Sequence, residues 1–210
     1  MITKILLIST SRMTLEQLNS EVDGKISLKE DDFTNSRKKA KSHYEVYPPL
    51  GLFYLSAMVK RETPEVKIKL YDLHFESIKA SHRGEKVDWF EMCDSQIQAM
   101  GPDLIGLSTM FGASFDGAKN LGLEIKKKYS EMILVSGGVH ITGLTKRQRD
   151  KHQLDFCDFI CLNESEAHFS GLIKYLNGQQ DYLKGVIVNN QQLLRDEGHS
   201  LSGLESPDEI

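Results

Sequence analysis

Six short apolar runs, mostly continuous in Ile, Leu and Val, constrain the fold more than any other feature of this chain. They are Lys4–Ser9, Val66–Tyr71, Asp103–Ser108, Met132–Ser136, Phe156–Leu162 and Gly185–Val188. Near-continuous Ile, Leu and Val suits strands covered by helices on both faces, the situation of a central parallel sheet. Helical spacings fall between them. Leu52, Leu55 and Val59 stand at i, i+3 and i+7, and Ala118, Leu121 and Ile125 repeat the pattern. Phe169, Leu172, Ile173 and Leu176 fill i, i+3, i+4 and i+7. Strand and helix alternating in this way predict βαβ units with right-handed crossovers. The expected fold is α/β and flavodoxin-like (Rossmann-like). It is doubly wound, with a mainly parallel five- to six-stranded sheet and helices on both faces.

The punctuation agrees. Pro48-Pro49 places a proline near a first helical turn, where its missing N–H costs nothing. Asn163 with Glu166 three residues on resembles a capping box. Gly178 follows the last apolar position of its helix, as a C-terminal cap would. Two stretches depart from the pattern. Residues 11–45 are polar and charged, contain Arg37-Lys-Lys-Ala-Lys41, and read as a long insertion before the first helix. The basic cluster is expected to be a solvated face. Residues 189–210 read as a linker, leaving 1–188 as the folded domain.

The 210 residues are 40% apolar and 27% charged, with a formal charge of −4, so global disorder and a nucleic-acid-binding surface spread over the domain are both disfavoured. Three cysteines make no disulfide framework, and no apolar run approaches the roughly 18 residues that span a bilayer. A cytoplasmic protein is expected.

Ligands of open α/β sheets bind beyond the carboxyl ends of the strands. The residues there are Ser9-Thr-Ser-Arg12, Ser108-Thr-Met-Phe-Gly-Ala-Ser114, Ser136-Gly-Gly-Val-His140 and Asn163-Glu-Ser-Glu166. This rim is rich in hydroxyls and glycines and contains no acid–base pair. Small residues let a backbone approach a large ligand, and helix N-termini offer N–H groups to phosphate. A bulky, phosphate-bearing cofactor fits this rim better than direct catalysis does. Gly112, Val139 and His140 belong to the same rim, with His140 divided between ligand contact and local capping. A dinucleotide fingerprint, a Walker loop and a nucleophile elbow are all absent. Cys157 and Cys161 continue to Glu164 rather than to a third cysteine, so they read as buried strand residues and not cluster ligands. Asp72-Leu-His74 begins like a cobalt-ligating Asp-x-His-x-x-Gly loop, but Ser77 replaces the glycine and the segment follows the second strand. His74 is therefore expected to be a loop or surface histidine. No residue is expected to bind a metal directly.

Five segments in order carry a family resemblance: Tyr47-Pro-Pro-Leu-Gly-Leu-Phe-Tyr-Leu-Ser-Ala57, Val66–Asp72, Gly101-Pro-Asp-Leu-Ile-Gly-Leu-Ser108, Ile133–His140, and Asp158–Glu166. Together, over roughly residues 1–205, they resemble the N-terminal cobalamin-binding domain of cobalamin-dependent radical S-adenosylmethionine enzymes. The resemblance implies that Ser108, Thr109 and Met110 contact the nucleotide tail of cobalamin, which Gly137 and Gly138 let lie against the backbone. Pro49, Gly51 and Leu52 would face the corrin, and Asn163 and Glu164 would close the other side. It further implies base-off cobalamin without a protein histidine on cobalt. A C-terminal partner domain would carry a 4Fe-4S cluster and S-adenosylmethionine, for methylation or a related rearrangement or cyclisation. This chain alone would not be catalytic. Where the family often has Gly-Glu-Gly-Glu after the fifth strand, this chain has Asn163-Glu-Ser-Glu166. The rival expectation is a stand-alone regulatory module on the same scaffold that has lost cobalamin.

Overall fold

The computed structural model describes residues 1–22, 47–144 and 154–190. Six strands form one sheet: β1 Lys4–Ser9, β2 Lys67–Asp72, β3 Leu104–Ser108, β4 Ile133–Gly137, β5 Phe159–Cys161 and β6 Val186–Val188. Their order is β2-β1-β3-β4-β5-β6. All pairs are parallel except β5–β6, which is antiparallel. The first five strands thus have the order of a flavodoxin-like α/β sheet, with an antiparallel strand added at one edge.

Alternate residues of the central strands enter two separate cores. Ile5, Leu7, Leu104, Val135 and Phe159 face helices α2 (Leu50–Glu62) and α7 (Ser165–Leu176). Leu6, Ile8, Ile105, Leu107 and Leu134 face α1 (Leu15–Val22), α3 (Leu73–His82), α4 (Trp89–Met100) and α5 (Phe115–Lys128). A short α6, Val139–Gly143, follows β4. The predicted stripes of α2, α5 and α7 all point inward, with Val59, Ile125, Leu172 and Ile173 fully buried.

Several expectations need correction. The run Val66–Tyr71 is not buried on both faces: β2 is an edge strand, and Lys67 and Lys69 are exposed on it. Such lysines blunt an edge against further pairing. The insertion read over 11–45 begins with a helix, α1. Thr14 and Gln17 form a reciprocal cap, Gln17 N donating to Thr14 Oγ1 (3.1 Å) and Thr14 N to Gln17 Oε1 (2.8 Å). Only Leu18 of α1 is wholly buried, too little apolar periodicity to reveal a helix. The rest of that segment, including Arg37–Lys41, lies outside the described residues, as does the tail beyond residue 190.

Helices α3 and α4, which are not among those named from the sequence, fill the crossover between β2 and β3. Each starts on an aspartate cap: Asp72 accepts from Phe75 N and Asp88 from Glu91 N. The fifth strand is shorter than the run Phe156–Leu162, so Cys157 lies before it in a turn rather than on it. All three cysteines are free and buried. Among the described residues, no helix is long and apolar enough to cross a membrane.

Candidate functional site

Backbone hydrogen bonds stitch together the loops at the carboxyl ends of β1, β3 and β4. Thr10 N and Thr10 Oγ1 both donate to Ser108 O, each at 3.0 Å. Thr109 N donates to Gly137 O at 2.9 Å, and His140 N donates to Thr109 O at 3.2 Å. Gly138 adopts φ +105, which a residue with a side chain rarely does. A Cβ there would lie 2.5 Å from Thr109 O, so two backbones meet at the rim with no room for a side chain.

Above this seam opens a cleft of about 930 Å³, bounded by the strand ends, the start of α2 and the start of α7. It runs down the α2/α7 side of the sheet. Leu7, Gly106, Val135, Cys161 and Phe169 line its depth. Gly106 sits between Leu7 and Phe169, and a Cβ on it would come 2.7 Å from Leu7 Cδ2 and 3.9 Å from Phe169 Cζ. Ser136 Oγ, also on the lining, is buried and has no hydrogen-bond partner among the described residues. An unpaired buried hydroxyl is costly. Thr109 Oγ1 is likewise buried without a partner.

Of the residues singled out from the sequence, ten line this one cleft: Pro49, Gly51, Leu52, Ser108, Met110, Gly137, Gly138, Val139, Asn163 and Glu164. The other three, Thr109, Gly112 and His140, are not on its lining. Thr109 is fully buried in the seam. His140 stacks on Phe115, with ring centroids 5.0 Å apart. Gly112 packs on that imidazole, and a Cβ there would be 3.1 Å from His140 Cε1. Asn163 does not cap α7. It takes φ +57, its N–H donates to Thr142 Oγ1 at 2.9 Å, and Glu164 holds the N-cap position without a side-chain hydrogen bond. The left-handed turn at Asn163 moves the helix start one residue beyond the expected box.

His74 is neither in a loop nor at the surface. It lies in the first turn of α3, and only 4% of it is exposed. Its Nδ1 accepts from Arg12 N at 3.4 Å and lies 3.3 Å from Ser11 Oγ, bracing the loop after β1 from below.

Arg12, Phe111 and Ser136, which lie within the strand-end segments named from the sequence but were not singled out there, also line the cleft, as do Tyr47 and Gly106. A lone glycine within a strand, as at Gly106, marks close approach. The Arg12 guanidinium lies over the Tyr47 ring (5.3 Å) and the Phe111 ring (5.7 Å), and donates to Tyr47 O at 3.3 Å.

No histidine lines the cleft among the described residues. Burial pushes the Cys161 thiol up to about 12, so this lining cysteine is not a thiolate nucleophile. No group of three or more metal-ligating side chains gathers among the described residues.

The sequence model of the B12 binding domain matches residues 40–173, more than half of the chain. The chain also resembles the crystal structure of a cobalamin-binding protein from Desulfitobacterium hafniense at 11% identity and a TM-score of 0.42. That alignment covers 79% of this chain and 55% of the other, so this chain spans about half the length of that relative. No curated protein matches the sequence.

Proposed function

The chain belongs to the B12-binding domain family, and from that premise we propose that it holds cobalamin in the cleft at the strand ends, as the cofactor-binding part of a radical S-adenosylmethionine enzyme. The observation that carries the reading is the apolar depth of the cleft, with Gly106 at its floor and the unpartnered Ser136 hydroxyl on its wall. These residues fit the group. A flat heteroaromatic base at the end of a nucleotide tail needs an apolar slot and a hydrogen-bonding partner, and the slot beside Gly106 offers both.

In this reading Ser108 and Met110 flank the tail where it enters, and Gly137 and Gly138 let it pass close to the backbone. Thr109 acts from behind by fixing the seam. Pro49, Gly51 and Leu52 cover one side of the corrin, and Asn163 and Glu164 the other. Gly112, Val139 and His140 shape the rim between them. When bound, cobalamin supplies a cobalt centre that carries and releases an alkyl group. The protein's own part is to bind, orient and shield it.

The base-off form without a protein ligand on cobalt is what the sequence resemblance implies. The radical-enzyme context, with its 4Fe-4S cluster, S-adenosylmethionine and a methyl transfer, rearrangement or cyclisation, rests on the sequence resemblance. Free buried cysteines suit a reducing, cytoplasmic setting.

The test is a titration with hydroxocobalamin, followed by desalting and an absorbance spectrum. Retained pigment with a base-off spectrum, lost in Ser108→Tyr, supports the reading. No uptake at ~100 µM, a weak-affinity ceiling, overturns it and favours a regulatory module without cobalamin.

A further inference from the structure

The cleft has a charge polarity that the family assignment does not explain. Among the described residues, Arg12 is the one cationic side chain on its lining, while Glu164 and Glu166 stand at the α7 end. Arg12 lies just beyond the paired ends of β1 and β3, where the connection from β1 leads to β2 on one side and that from β3 leads to β4 on the other. This is the topological switch point, the crevice in which doubly wound sheets place anionic parts of their ligands.

The side chain is held there from three directions. Its guanidinium lies over the Tyr47 and Phe111 rings and donates to Tyr47 O. Its backbone N–H donates to the buried His74 Nδ1. The preceding turn is tied to β3 through Thr10 and Ser108. An arginine ordered before binding loses little rotamer entropy when the ligand arrives. Its planar fork matches the oxygens of a phosphate.

We infer that Arg12 is a specificity-determining residue that recognises the phosphodiester of the ligand's nucleotide loop. The site thereby distinguishes a complete cobalamin from a corrinoid that ends before the phosphate. His74 is the positioning residue behind it, acting through the Arg12 amide. This inference rests on the cobalamin reading above.

The experiment compares hydroxocobalamin with diaquacobinamide, which has the same corrin but lacks the phosphate and nucleotide, on wild-type protein, Arg12→Met and Arg12→Lys. The expected result is a loss of about tenfold or more in cobalamin affinity for Arg12→Met, the size of a charge-assisted hydrogen bond. Cobinamide affinity changes by less than about threefold, which also shows that the variant is folded. Arg12→Lys falls between, because it keeps the charge without the fork. Added salt narrows the wild-type preference for cobalamin and leaves Arg12→Met unaffected. Equal loss of both ligands, or loss of neither, overturns the inference and leaves the cobalamin reading standing. Wild-type protein that takes up neither corrinoid overturns both.

Discussion

The α-carbon of Gly138 is packed directly against the backbone of Thr109: a methyl group built on Gly138 would lie 2.5 Å from the Thr109 carbonyl oxygen and 2.9 Å from its amide nitrogen. Neither atom can yield, because Thr109 N is bonded to Gly137 O and Thr109 O accepts from His140 N. Gly138→Ala should therefore cost about 2–4 kcal/mol, combining a disallowed φ with backbone overlap. Urea unfolding with an unchanged slope would measure it. The same protein should fail to retain hydroxocobalamin. An alanine variant as stable as wild type would show that the seam is slack.

Gly106 is the complementary case, where added volume enters the cleft. Its nearest obstacle is a Leu7 methyl at 2.7 Å, which can rotate away. Gly106→Val should cost less than about 2 kcal/mol in stability yet lower cobalamin affinity about tenfold or more by filling the slot. Equal affinity in the variant would place the ligand elsewhere.

Asp103 fastens the start of β1 to β3. Its Oδ2 accepts from Thr3 N (2.7 Å), Thr3 Oγ1 (2.8 Å) and Lys4 N (2.9 Å). Burial raises its pKa, but these bonds outweigh burial and hold the carboxyl below its ordinary value. A depressed folded pKa gives stability that is present above the unfolded value of about 4 and is lost as pH falls through the folded one. Asp103→Asn should thus be about 1–2 kcal/mol less stable near neutral pH, at the low end for charged hydrogen bonds because water reaches the site. The gap should close in acid. A gap independent of pH would mean the charge is irrelevant.

Asp158 is a buried carboxylate with 4% of its side chain exposed, paired with Lys126 Nζ at 3.1 Å. It also accepts from Leu134 N (2.8 Å) and Asn190 Nδ2 (2.9 Å). Lys126→Met should cost about 3 kcal/mol, since it strands a buried charge. Adding Asp158→Asn should recover part of that loss in a denaturation midpoint, which a purely steric effect would not.

Burial raises the thiol pKa of Cys93 and Cys157 and pushes that of Cys161 up to about 12. A thiol reagent at neutral pH should find essentially no reactive cysteine in the native protein and all three after unfolding. Rapid labelling of a native cysteine would contradict their placement.

The layers, and the end of the sheet to inspect, were legible in the order of the residues. Continuous apolar central strands require cover on both faces, and the hydroxyls and glycines after β1, β3, β4 and β5 lie at the end where open α/β sheets take their ligands. Seven residues of these strand-end segments, Ser108, Met110, Gly137, Gly138, Val139, Asn163 and Glu164, line one cleft, and so do Pro49, Gly51 and Leu52, which the family resemblance added. Local chemistry was legible only where it is local: the Gly178 turn after α7 has φ +68 as expected, whereas the Asn163 cap was displaced by a contact with Thr142, 21 positions away.

How His74, Arg12 and Tyr47 come together depends on the packing of the folded chain. His74 reads as a surface residue until α3 turns it under the loop after β1. Arg12 and Tyr47 are 35 positions apart, and no periodicity links either of them to Phe111. Strand and helix patterns record burial, which repeats along the chain with the geometry of the backbone. A binding site is assembled across elements by the order of the strands, and that order is settled by how whole surfaces pack.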